Sequence, residues 1–226
     1  MDQLSARINS LPVSETLAMA AKARELKNKG IDIIGLSLGE PDFNTPEFIK
    51  DAAIQAVKDN YNSYSPVDGY ADLKQAICAK FKRDNNLNYS PSQIVVSTGA
   101  KQSIANLCMV LLDPGDEVLL PAPYWVSYSA IATLAEATSI IIPSSIETDF
   151  KITPEQLEAF ITPKTKLVMF NSPNNPSGTI YTEAEYRALG KVLEKYPNIF
   201  ILSDEIYEHI NYGTEHFSIA AIPELY

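Results

Sequence analysis

Two cysteines, two histidines and one tryptophan are all that this 226-residue chain carries of three informative residue types. Cys78 and Cys108 lie thirty residues apart, each inside a helix-like pattern. That spacing excludes a disulfide framework and a cysteine metal site, so both are expected to be buried, reduced thiols. His209 and His216 have no metal partners at ligand spacing and are expected to be ordinary surface or loop residues; no metal is predicted. No apolar run approaches the roughly 18 residues of a membrane span. The opening Met1-Asp2-Gln3-Leu4-Ser5-Ala6-Arg7 has no apolar leader core, so no membrane association is expected and a cytoplasmic location is predicted. Positive charge is scarce: 18 Lys and Arg stand against 28 Asp and Glu, giving a net charge of −10. Such a balance excludes nucleic acid as the main partner, because phosphate-backbone binding needs clustered cations. No lysine follows Lys195 and no arginine follows Arg187.

What is present is a regular rhythm. Residues 14–29 read as a helix stopped by Gly30, and 31–38 as a strand. Thr45 suits an N-cap with Pro46 as the first helical residue. Phe48, Ile49, Ala52, Ala53, Ala56 and Val57 then form a stripe expected to be buried. A helix over 71–83 follows. Strands are predicted at 94–97, 117–120, 139–142, 166–170 and 198–203, with helices opening at 100, 124, 153 and 182. Thr153 with Gln156 forms a capping box, and Thr182-Glu183-Ala184-Glu185 caps the next helix. Short strands alternating with helices predict a three-layer α/β/α fold with a mostly parallel sheet. Sheets of that kind bind ligands at the carboxyl ends of their strands.

The chemistry-bearing residues fall at those ends. Gly99-Ala100-Lys101 joins a strand to a helix, where free backbone N–H groups and the helix dipole suit an anion, although small residues also serve plain turns. It is neither a Walker loop nor a dinucleotide-binding glycine motif. Trp125 fits either a core aromatic or a flat face stacked on a cofactor ring. Asn175 sits in an Asn-Pro turn that suits a cis Asn175–Pro176 bond. Asp204 either caps a helix or pairs with a cationic heterocycle, keeping its ring nitrogen protonated. Tyr207 then offers a hydroxyl to the same ring.

Several segments carry a resemblance in order along the chain. They are residues 39–43 (Gly-Glu-Pro-Asp-Phe), 64–69 (Tyr-Ser-Pro-Val-Asp-Gly), 99–102, 123–125 (Pro-Tyr-Trp), 171–178 (Asn-Ser-Pro-Asn-Asn-Pro-Ser-Gly) and 203–207 (Ser-Asp-Glu-Ile-Tyr). Together they resemble the fold-type I pyridoxal-phosphate-dependent aminotransferases, specifically the class I aspartate aminotransferase family. The resemblance implies Asp204 on the pyridine nitrogen, Tyr207 and Asn175 on the ring hydroxyl oxygen, and Trp125 stacked on the ring. It implies the phosphate at Gly99, Ala100 and Lys101, with Tyr64 reaching the phosphate in the partner subunit of a homodimer. Gly39, Trp125 and Asn175 would contact the substrate.

That family transfers an amino group between an L-amino acid, aspartate by default, and a 2-oxo acid. Its Schiff-base lysine lies beyond the aspartate, and this chain has none there. The implied organisation is residues 1–45 as an N-terminal arm and part of a small domain, then 46–226 as a large cofactor-binding domain truncated before that lysine. A chain so cut is expected to be inactive alone and to expose an apolar sheet edge. The alternatives are another fold-type I chemistry, such as a β-lyase, or a non-catalytic binding fragment.

Overall fold

The computed structural model describes residues 4–11, 15–36, 39, 43–210 and 212–225. The chain divides into two compact units, residues 9–66 and residues 1–8 with 67–226. A short α1 (Ala6–Asn9) spans the boundary between the two stretches of chain; the unit of residues 9–66 then holds α2 (Glu15–Asn28) and, after an irregular segment, α3 (Glu47–Lys58). Residues 31–36 form no strand, and 37–38 lie outside the described residues. The cap of α3 is Pro46, with no side-chain hydrogen bond, rather than Thr45. Its apolar stripe is also not buried: Phe48 is 74% and Val57 77% exposed. A stripe is buried only against a matching surface, and the described residues of this unit put none over α3.

The second unit is built on a parallel sheet in the order β2-β1-β3-β4. Its strands are β1 (Glu117–Pro121), β2 (Thr138–Ile142), β3 (Thr165–Asn171) and β4 (Phe200–Asp204). Helices α4 (Ala71–Asn85), α5 (Ala100–Leu111), α6 (Ser127–Leu134), α7 (Pro154–Phe160) and α8 (Glu183–Leu193) complete it. Side chains alternate across a strand, and both faces are covered. Val118, Leu120, Leu167 and Met169 pack with Ile104 and Cys108 of α5 and Ile131 of α6. Leu119, Val168 and Phe170 pack with Leu157 of α7 and Leu189 of α8. Strands buried on both faces read as continuous apolar runs, as 167–170 does. The fold is therefore the three-layer α/β/α arrangement expected.

Local chemistry sets several boundaries. Thr153 Oγ1 accepts the Gln156 N–H at 3.2 Å, and Gln156 Oε1 accepts the Thr153 N–H at 2.9 Å. Thr182 and Glu185 repeat the arrangement at the start of α8. Three further expectations fail. Residues 94–97 form no strand; the Val96 N–H is held instead by the Asp68 carbonyl at 3.1 Å. A strand needs a neighbour's ladder, and the described sheet leaves that segment unpaired. The helix expected from Tyr124 begins at Ser127, after a cis Ala122–Pro123 bond. Cys108 is buried, its thiol pushed up to about 11 by desolvation, but Cys78 is only half-buried.

Candidate active site

Neighbouring parallel strands end together at the heart of the site. In the β3–β4 register Asn171 is level with Asp204, the last residue of each strand. Both are buried. A cleft of about 180 Å³ opens there, lined by Trp125, Asn175, Asp204 and Tyr207 among the predicted residues, with Ala100 at the start of α5. Three further lining residues, Tyr128, Asn171 and Ile206, escaped sequence reasoning.

Asp204 is 9% exposed, so its carboxylate must be paired. Oδ2 accepts the Tyr128 hydroxyl at 2.7 Å, and Oδ1 accepts the Ile206 N–H at 3.2 Å. Burial first, then the charge of Asp204, pushes the Tyr128 phenol far above the usual range, so its proton stays on oxygen. The Tyr128 ring meets Trp125 edge to face, with centroids 5.5 Å apart and planes at 90°. The Lys101 ammonium lies 4.8 Å from the Trp125 ring centroid. Trp125 is thus placed by the turn after β1 and by α6, and serves the cleft rather than the core alone.

Asn171 ties the strand ends to the next turn. Its Nδ2 donates to the Asp204 carbonyl at 2.9 Å and to the Pro173 carbonyl at 3.1 Å. Its Oδ1 accepts the Asn175 N–H at 2.7 Å. Asn174 is consumed inside the turn, accepting from Ser177 N–H and donating to the Pro123 carbonyl at 3.2 Å. Asn175 is the asparagine that lines the cleft. The Asn175–Pro176 bond is cis, as expected, and so is Ser172–Pro173.

At the start of α5, Gly99 has φ 89°, a conformation that glycine adopts at no steric cost. The Gly99 carbonyl accepts from the Gln102 and Ser103 N–H groups. The amides of Ala100 and Lys101, in the first turn, have no intrahelical partner. Gly39 and Tyr64 belong to the other unit, where both are exposed.

His216 lies in a loop, one of the two placements expected, but its side chain is not on the surface and has acidic neighbours. Its side chain is 9% exposed, and Nε2 lies 3.0 Å from Glu205 Oε2. Glu208 approaches the same pair, with one oxygen or nitrogen of each residue within 4.8 Å of the others. Its carboxylate is also ion-paired with Lys80. Sequence spacing could not show this, because the chain turns back after β4 to bring residue 216 beside 205.

A parallel α/β fold with a buried carboxylate, an indole and an amide beside its strand ends has the architecture of a ligand-binding protein. The comparisons narrow it. Residues 31–225 match the aminotransferase class I and II family, and the chain belongs to it. It is 51% identical over 225 residues to an aspartate/prephenate aminotransferase of Nitrosomonas europaea, covering 99% of this chain and 57% of that protein. It is 49% identical to an aspartate aminotransferase of Bacillus subtilis over 98% of this chain and 56% of the relative. Among solved structures, the aspartate aminotransferase of Rhizobium meliloti superposes with TM-score 0.95 at 45% identity, covering 99% of this chain and 56% of that one. The Thermus thermophilus aspartate aminotransferase solved with maleate gives 0.94 at 40% identity, with coverages of 98% and 58%. The chain therefore spans a little over half the length of these relatives.

Proposed function

We propose that these residues form the cofactor-holding wall of a pyridoxal-5′-phosphate-dependent aminotransferase acting on an L-amino acid, aspartate first, and a 2-oxo acid. The observation that carries this reading is the buried Asp204 carboxylate at the cleft, with Trp125, Asn175 and Tyr207 around it. An anionic group there suits a cationic ring nitrogen, and the indole suits its flat face. The residues present fit the cofactor. Asp204 would hold the ring nitrogen, Tyr207 and Asn175 the ring hydroxyl oxygen, and Trp125 the ring face. The free first-turn amides at Ala100 and Lys101, after Gly99, would take the phosphate.

When bound, pyridoxal phosphate supplies an electron sink that makes the substrate's α-C–H bond labile. The chain's own part is to fix the ring, keep its nitrogen protonated and exclude water from the Asp204 side. Names of the relatives support aspartate as amino donor. In the same reading Tyr64 reaches the phosphate of a partner subunit in a homodimer, while Gly39 and Asn175 meet the substrate. Residues 1–45 then belong to an arm and small domain, and 46–226 to the large domain. In the same reading these 226 residues, with no lysine after Lys195, do not turn over substrate alone.

Trp125 is the only tryptophan of the chain, so its emission reports directly on the cleft. Titration with pyridoxal 5′-phosphate is expected to quench it saturably. Asp204→Ala should weaken binding about 10- to 100-fold, the value of a charged hydrogen bond. Equal affinity in that variant, or no saturable quenching in the parent, refutes the assignment.

A further inference from the structure

Tyr128 is a buried aromatic residue of the site to which the proposed chemistry gives no task. It is 1% exposed, lies three residues beyond Trp125, and touches two of the groups that would meet the ring, Asp204 and Trp125. Its hydroxyl donates to Asp204 Oδ2 at 2.7 Å, within the short range of charge-assisted bonds. The other hold on that carboxylate, from the Ile206 N–H, is longer at 3.2 Å. An aspartate fixed by one backbone amide can still swing about its χ2 torsion, a broad and soft coordinate. Two donors on different oxygens remove that freedom. The same ring stands edge-on to Trp125, so the indole plane is set by the residue that sets the carboxylate plane.

We propose that Tyr128 is a positioning residue: its hydroxyl aims the Asp204 carboxylate at the cofactor ring nitrogen while its ring edge props the Trp125 face. The inference rests on the cofactor reading of the cleft and deepens it. Two effects of the hydroxyl oppose each other. As a donor it draws charge from the carboxylate, which weakens the hold on a ring proton. As an anchor it keeps the carboxylate in line with that proton, and hydrogen bonds weaken steeply once bent. In a buried site the misaligned pair also loses solvent as a substitute partner. Alignment therefore outweighs the charge withdrawn.

The test uses the polypeptide as its gene encodes it, loaded with pyridoxal 5′-phosphate labelled with 15N in the ring. The dissociation constant and the ring 15N shift across pH are measured for wild type, Tyr128→Phe and Asp204→Ala. Tyr128→Phe keeps the ring that props Trp125 and removes only the hydroxyl. It should weaken cofactor binding about five- to tenfold and let the ring nitrogen lose its proton at lower pH than in wild type. A merely structural tyrosine would lower thermal stability and leave both readouts unchanged, and that result overturns the proposal. Equally, a ring nitrogen that stays protonated to higher pH in Tyr128→Phe shows that charge withdrawal wins, and overturns it. If Asp204→Ala behaves as wild type, the cofactor reading itself fails. If Asp204→Ala loses the ring proton and Tyr128→Phe does not differ from wild type, only the role of Tyr128 falls.

Discussion

Replacing Asn171 by alanine tests whether one amide really joins the ends of β3 and β4 to the turn that carries Asn175. The side chain makes three hydrogen bonds, at 2.9, 3.1 and 2.7 Å, from a position 6% exposed. Each is worth about 1 kcal/mol net, and an orphaned buried partner costs more than that. The Asp204 carbonyl is backed by the Ser172 N–H at 3.2 Å, so its loss is partly offset. The Pro173 carbonyl and the Asn175 N–H are the groups left needing a partner. The expected loss for Asn171→Ala is therefore about 2–3 kcal/mol, a large share of a typical domain's stability of roughly 5–15 kcal/mol. Urea denaturation should show the midpoint falling with an unchanged slope, since the exposed area hardly changes. Asn171→Asp is a sharper form of the same test. It keeps the acceptor for Asn175 but sets a carboxylate oxygen against two carbonyl oxygens, so it should be at least as damaging at neutral pH. On acidification a protonated carboxyl can donate one bond, and part of the loss should return. A cost below about 1 kcal/mol for Asn171→Ala would refute the idea that this side chain is the joint.

Two further changes probe the frame around the site. Gly69 has φ 99°, and a Cβ there would meet Val96 Cγ2 at 2.5 Å. Gly69→Ala should cost about 2 kcal/mol or more by denaturant midpoint, from backbone strain together with displacement of Val96; a change under 0.5 kcal/mol would contradict it. The Lys151–Glu185 pair lies at 2.7 Å, with Lys151 mostly buried. Burial is the largest influence on Glu185 and opposes its charge, but the hydrogen bonds from Lys151 and from the Thr182 N–H and hydroxyl, with the Lys151 charge, together outweigh it and hold the carboxyl below its ordinary 4.5. Burial likewise opposes the Lys151 charge, yet Glu185 and then Asp149 outweigh it and hold the ammonium above 10.5. The contribution is complete between about pH 4.5 and 10.5, fades as pH falls through the Glu185 folded value, and fades again as pH rises through that of Lys151. Glu185→Gln keeps the capping box and drops the charge, so it should cost about 0.5 kcal/mol at pH 7 for a pair partly screened by solvent. Urea midpoints of the two proteins should converge in acid, and a gap that widens there would contradict the sign.

What could be read from the chain alone was whatever depends on neighbours in sequence. Thr153 with Gln156 and Thr182 with Glu185 close their boxes within three residues, and both were legible. The apolar runs of β1, β3 and β4 were legible for the same reason, and so was the strand-end placement of Asn175 and Asp204. The segment 94–97 has the same apolar signature, yet a strand depends on a partner's ladder as well as on its own side chains. The stripe on α3 fails similarly: Phe48 and Val57 record a face made for burial without saying what covers it.

The residues missed at the site share one property, which is that their roles exist only through tertiary register. Asn171 looks like one more turn asparagine until β3 and β4 are aligned with 171 against 204. Tyr128 looks like the first turn of an apolar helix until α6 is seen to start at Ser127, after the break at Pro123. Had the helix begun at Tyr124, Trp125 would lie inside its first turn instead of in the loop ahead of it. Only the late start pairs an indole and a phenol edge to face at 5.5 Å with the phenol on Asp204. The carboxylate is a fact of sequence, but its direction is a fact of topology, since residues 128, 171 and 204 come from three separate elements, α6, β3 and β4. The chemistry such a site can do depends on that direction, because a charge in a cleft stabilises a proton only along the line on which it is held.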